Sequence, residues 1–233
     1  TSTGKVSTAG LKNAMLLAGA AFLPILPVTA ANLMKSGEFV LIATQGGVNF
    51  WIGNNPDATG TLSVLPGYGN TWQMEDAEFE AEKDTGRKLR PGELDRYYRN
   101  KGLDFLREHP LQGLRLMIRK MALFVNRFEI SNNKHIEYFS ALSAWLPVLI
   151  LLNFGLLVPL GAMGFWLRQQ SGGVSGWLLA MSALYAFSVV LFFVAARFRM
   201  PIVPWLTWPA AVGAVAVFGW IRSAWSRERT LAL

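Results

Sequence analysis

The 233 residues contain no cysteine and only two histidines, His109 and His135. Without cysteine no disulfide can form, which suits an envelope protein that does without them. The histidines are far apart in sequence, and each reads as a helix-end or surface residue. Nothing points to a Ser-His-Asp site. No Walker loop, GxGxxG, HExxH or CxxC is present. Charge is also sparse, at 16% of residues, and it is almost missing from three windows of about 20 residues. Because those windows hold almost no ionisable group, a transporter is disfavoured.

What is present is apolar and clustered. Half the residues are hydrophobic (52%) and mean hydropathy is +0.30. The windows run from Leu142 to Leu167, Gly176 to Ala196 and Pro201 to Ile221, each long enough to cross a hydrocarbon core. A weaker one, Ala14 to Leu33, is interrupted by Pro24 and Pro27, a kink that a membrane helix tolerates. The expected fold class is mostly α: a polytopic membrane protein of about four transmembrane helices, with a mixed α/loop extracytoplasmic domain. The expected divisions are 1–33 for the cytoplasmic end and first span, 34–140 for the extracytoplasmic loop domain, and 141–233 for three spans and a cytoplasmic tail. Thr1 opens a first segment without a small-residue cleavage site, so it reads as a piece of a longer membrane protein, not as a signal peptide.

The net charge is +7. The excess cations flank the apolar runs instead of forming one basic face, which argues against nucleic acid as a partner. Lys5, Lys12, Arg168, Arg222, Arg227 and Arg229 share one side of a four-span arrangement, against the single acid Glu228. The positive-inside rule puts that side, with both termini, in the cytoplasm of an inner-membrane protein. Residues 35–140 then lie outside. Arg197 and Arg199 are the only cations of the other outside connection, Ala196-Arg197-Phe198-Arg199-Met200-Pro201. Arginine is scarce in short outside loops. A guanidinium retained there offers bidentate donors to a lipid phosphate; the bland alternative is a snorkelling anchor. Pro201 pushes Met200 out of the α region and suits the first turn of a helix, so the third span is expected to end near Arg199.

The outside region has its own grammar. Phe39 to Thr44 is β-prone; between turn-forming Gly46-Gly47 and Asn54-Asn55-Pro56-Asp57, Val48 to Ile52 admits a second short strand, the alternative being a structured loop whose glycines and asparagines supply positive φ angles. Glu75, Asp76, Glu78, Glu80, Glu82 and Asp84 admit a hard divalent cation, but their spacing scatters them around a helix and favours a solvated one. No metal or other cofactor is therefore indicated. Pro91-Gly92-Glu93 starts a helix that should run to about Glu108, before His109-Pro110. In Leu111 to Ile130, Arg115, Asn126, Arg119, Gln112, Arg127 and Lys120 share an arc of roughly 140°. Leu111, Leu114, Met117, Ile118, Met121, Phe124, Val125 and Phe128 lie opposite, with Leu116 and Leu123 as exceptions on the polar side. This pattern predicts an interfacial amphipathic helix; a helix packed on its own domain is the competing reading.

Three segments resemble one family. Ala196-Arg197-Phe198-Arg199-Met200-Pro201-Ile202-Val203-Pro204 resembles the ARYRLPxxP ending of bacterial family 39-like glycosyltransferases of the GT-C fold, a group related to protein O-mannosyltransferases and lipid A aminoarabinose transferases. Gly46 to Pro56 resembles the GGxNFYIGNN loop of that group, and Lys120 to Asn133 its K…WxxxEixNN segment. Trp51 and Phe198 stand where tyrosine is usual, and both keep an aromatic ring. The resemblance implies a membrane transferase that takes a sugar from a polyprenyl phosphate to a glycan, lipid or protein acceptor. It places the catalytic Asp in a loop upstream of Thr1. Arg197 and Arg199 would hold the lipid phosphate, and Asn49, Asn54 and Asn55 are candidates for sugar contacts. Glu129 is a further candidate for substrate, or for orienting an arginine. The rival from another class is a non-catalytic binding or scaffold module anchored in the membrane.

Overall fold

A computed structural model of the chain describes residues 8–61, 64–69, 71–128, 130, 153–169 and 175–231. The described residues are mostly helical, and no strand occurs among them; the single ladder contact is an isolated bridge between Leu65 and Gly69. Helices α1 (Thr8–Phe22) and α2 (Ile25–Ser36) meet at 45° across a break at Leu23-Pro24, where proline withholds a backbone donor. Gly37, at φ 69°, ends α2 by donating its N–H to the Leu33 carbonyl.

The expected strand at Phe39 to Thr44 is absent. Side chains of α2 take up its carbonyls instead: Thr29 Oγ1 donates to Leu41 O at 2.7 Å, and Asn32 Nδ2 to Val40 O and Ile42 O at 3.1 and 3.0 Å. A strand needs a ladder partner, and this segment has already spent its acceptors. The second expected strand is also corrected: Gly46–Gly53 forms a short helix, α3. The acidic stretch forms α4 (Met74–Thr85), opened by a reciprocal cap between Gln73 and Asp76. Helix α5 (Pro91–Glu108) keeps its expected bounds. Glu93 folds back onto the Arg90 N–H and pairs with Arg87, which holds its carboxyl down at about 2.

Helix α3 packs on α5, and a first core forms from Val48, Trp51, Ile52, Leu65, Ala77, Ala81, Leu94, Tyr98, Phe105, Leu116 and Phe193. A second core joins α6 (Pro110–Val125), α7 (Phe154–Gln169), α8 (Ser175–Val190) and α9 (Val203–Leu231) through Phe124, Phe154, Phe165, Val189, Val190, Val194, Ile202 and Leu206. Helices α7 and α9 approach closely because a Cβ on Gly164 or Gly213 would overlap the Pro209 or Leu160 carbonyl. Phe198 packs against both cores.

Among the described residues one helical stretch, Ala196–Trp225, is long and apolar enough to cross a membrane, and a second qualifies if the bent α1–α2 pair counts as one span. Phe154–Arg168 and Gly176–Val190 are shorter apolar helices. The Leu142 to Leu167 window begins on residues outside those described. The third apolar run does not stay helical to Arg199. Helix α8 stops at Val190, and the chain reaches two 3-10 turns, Ala196–Phe198 and Met200–Ile202, through extended backbone. Tertiary hydrogen bonds replace the helical ones: Val194 N donates to Gly60 O and Ala196 N to Ile130 O, at 2.9 and 2.8 Å.

Candidate functional site

The three segments that carry the family resemblance lie far apart in the chain and converge on this unwound corner. The first is α3. A Cβ on Gly47 would overlap the Asp95 carbonyl of α5, and one on Gly53 would overlap the Phe192 carbonyl of the corner. Glycine at both ends lets α3 wedge between them. Asp95 Oδ1 also accepts the Gly47 N–H at 2.6 Å.

The asparagines that follow are structural. Asn54 and Asn55 are 0% and 1% exposed. Asn54 Nδ2 donates to Phe50 O at 2.9 Å and to Leu191 O at 2.8 Å, which ties α3 to the corner. Asn55 Nδ2 donates to Trp51 O and Val64 O, and its Oδ1 accepts the Asp57 N–H. Both were expected as sugar contacts; both direct their amides into the protein, where a polar group needs a partner.

The second segment, on α6, supplies Lys120, which the helical repeat groups with the polar arc. It is 0% exposed, and its Nζ donates to Asn54 Oδ1 at 2.8 Å. Burial alone lowers its pKa to about 7, because the ammonium is the form that loses hydration. The signal for this was Leu116 and Leu123 interrupting the polar side of the helix: they are buried and half-buried, and Lys120 sits on the same inward face. Glu129 lies outside the described residues.

The third segment separates its two arginines. Arg199 is 2% exposed. Its guanidinium donates to Leu123 O, to Asn126 O at 3.3 Å, to Phe128 O at 2.9 Å and to Asn126 Oδ1 at 2.9 Å, and it lies over the Phe154 ring. Leu123 O is one of the carbonyls that the last turn of α6 leaves without helical donors, and Asn126 and Phe128 follow that turn directly, so Arg199 is a clamp on the end of that helix. The fork geometry of guanidinium suits this task. A lipid phosphate would have to displace that clamp to reach it.

Arg197 is exposed and lies over the Phe198 ring, 4.7 Å from its centroid. It lines a cleft of about 380 Å³ with Asn49, Tyr185, Ser188, Val189, Phe192, Phe193 and Phe198. Tyr185 donates its hydroxyl to Phe198 O at 2.8 Å, and Ser188 donates to Tyr185 O at 2.7 Å, so one wall is held by hydrogen bonds. Of the expected substrate residues, Asn49 and Arg197 are brought together here. The cleft pairs one cation and several polar groups with an apolar wall, a lining suited to an amphiphilic anion. Comparison of the chain with family models, curated proteins and solved structures gives no match.

Proposed function

We propose that this chain is part of a membrane glycosyltransferase that moves a sugar from a polyprenyl phosphate to an envelope acceptor, with the phosphate held by Arg197. The observation that carries the reading is the cleft in which the exposed guanidinium and the Asn49 amide meet the Val189, Phe192, Phe193 and Phe198 wall. The wall suits a prenyl chain and the cation a phosphate. In the reaction the bond from the anomeric carbon to the phosphate oxygen breaks, and its electron pair leaves on the phosphate. The acceptor oxygen bonds to the anomeric carbon and gives its proton to a base, expected upstream of Thr1. Arg197 lowers the barrier by stabilising the charge that grows on the departing phosphate. Arg199 supports the same corner from behind, as the clamp on α6. The reading includes about four spans, cytoplasmic termini and an extracytoplasmic corner.

The test compares both arginines in the full-length enzyme, which carries the base, reconstituted in lipid nanodiscs with a polyprenyl-phosphate sugar. Arg197→Ala should lower turnover by roughly 100-fold or more, the scale on which one charge-stabilising donor acts, in protein that still folds. Arg199→Ala should instead reduce the yield of folded protein, since losing the clamp costs about 3 kcal/mol. Wild-type turnover in Arg197→Ala overturns the assignment. Tight retention of the lipid phosphate by wild type without any transfer supports the anchored binding module instead.

A further inference from the structure

Helix α6 turns its apolar face outward. Leu111, Leu114 and Ile118 are 72%, 58% and 62% exposed, and Met121 and Val125 continue the stripe. With Ala122 they occupy an arc of about 100° at the helical repeat. Arg115, Arg119 and Gln112, all exposed, border that arc on one side, while the inward face carries Gly113, Leu116, Lys120 and Phe124. A helix covering only its own domain would bury Leu111, Leu114 and Ile118 and leave Lys120 outside; this one exposes those three and buries the lysine. Beyond the helix, Phe128 extends the stripe at 63% exposure. A contiguous apolar surface of this kind marks an interaction site.

We infer that this face docks on the headgroup–acyl boundary of a bilayer containing anionic lipid. Charge complementarity favours that occupant: α6 has two exposed cations, Arg115 and Arg119, and no acid, and both arginines sit at the edge of the apolar arc, where headgroups would meet them. Continuity favours it too. Helix α6 packs on α7 and α8, the shorter apolar helices, and Phe124 meets Phe154 edge-on at 5.7 Å. Leu184 and Phe187, exposed on α8, continue the apolar surface of that helix. Docking also sets the level of the cleft, because Arg199 holds the end of α6 and Arg197 stands two residues away. This inference rests on the membrane reading of the chain but not on catalysis.

The absence of cysteine makes the test direct. Single spin labels are placed at Leu114→Cys, Ile118→Cys and, as an aqueous reference, Asp104→Cys, in the whole protein reconstituted into vesicles. Collision with oxygen is compared with collision with a water-soluble nickel chelate. In phosphatidylcholine with phosphatidylglycerol, positions 114 and 118 should favour oxygen and position 104 nickel. Omitting phosphatidylglycerol should move the ratio at 118 toward nickel by roughly fivefold, the scale of one interfacial cation. That response should vanish in the Arg115→Gln, Arg119→Gln double variant. Nickel access at 114 and 118 in every lipid overturns the proposal. So does shielding from both reagents with dipolar broadening between labels, which would mean a second copy covers the face. A ratio at 118 that ignores phosphatidylglycerol overturns the anionic part. Sugar transfer is not a readout, so failure here is distinct from failure of the catalytic reading.

Discussion

At the scale of residues, charge alone does not say which cation meets a ligand. Arg197, Arg199 and Lys120 carry the same formal charge. The first is exposed in a cleft, the second is spent on helix-end carbonyls, and the third is buried with an asparagine oxygen. Lys120 has a consequence for stability. Its pKa falls from 10.5 unfolded to about 7 folded, so between those values the unfolded chain binds more protons. The penalty is full below pH 7, is relieved as pH rises through that window, and amounts to roughly 5 kcal/mol. Wild type should therefore gain stability from pH 7 to 10, and Lys120→Met should flatten that slope. Chemical unfolding of detergent-solubilised protein across this range checks it. An unchanged slope in the variant would remove Lys120 as its source.

At the scale of elements, what was legible followed local chemistry. Pro91 and Glu93 announced α5, and the acids from Glu75 to Asp84 announced α4, because caps and charge act within a turn. Two expected strands failed for a non-local reason. Phe39 to Thr44 gives its carbonyls to Thr29 and Asn32, and Val48 to Ile52 coils so that α3 can pass between Asp95 and Phe192. Gly47, a turn former by its sequence context, and Gly53 are contact points. Gly47→Ala and Gly53→Ala should each cost about 3 kcal/mol through overpacking, seen as a lower thermal midpoint. Gly19→Ala, with nothing near its Cβ position, should not. Equal midpoints for all three variants would deny the wedge.

At the scale of the whole molecule, the chain is organised by two cores that share Phe198 and by a corner where α3, α6 and α8 end together. The reading of orientation from charge predicts a sidedness that labelling can check. In intact cells Glu78→Cys on α4 should react with a membrane-impermeant maleimide, whereas Ser223→Cys on α9 should react only after permeabilisation. The reverse pattern would put the Arg197 corner on the cytoplasmic face, away from any outer-leaflet donor.

Residue order by itself determined that the chain is helical, that its apolar runs cluster, and that Arg197 and Arg199 fall in a short connection between two of them. These properties depend on neighbours a few positions away, where propensity, proline and charge act. Only the tertiary structure decided that Arg199 turns inward while Arg197 stays exposed, that Lys120 is buried, and that α6 shows Leu111, Leu114 and Ile118 to the outside. Each of those outcomes is set by which carbonyls and ring faces are brought from distant segments, and a helical repeat records that one side differs from the other without recording which side is covered.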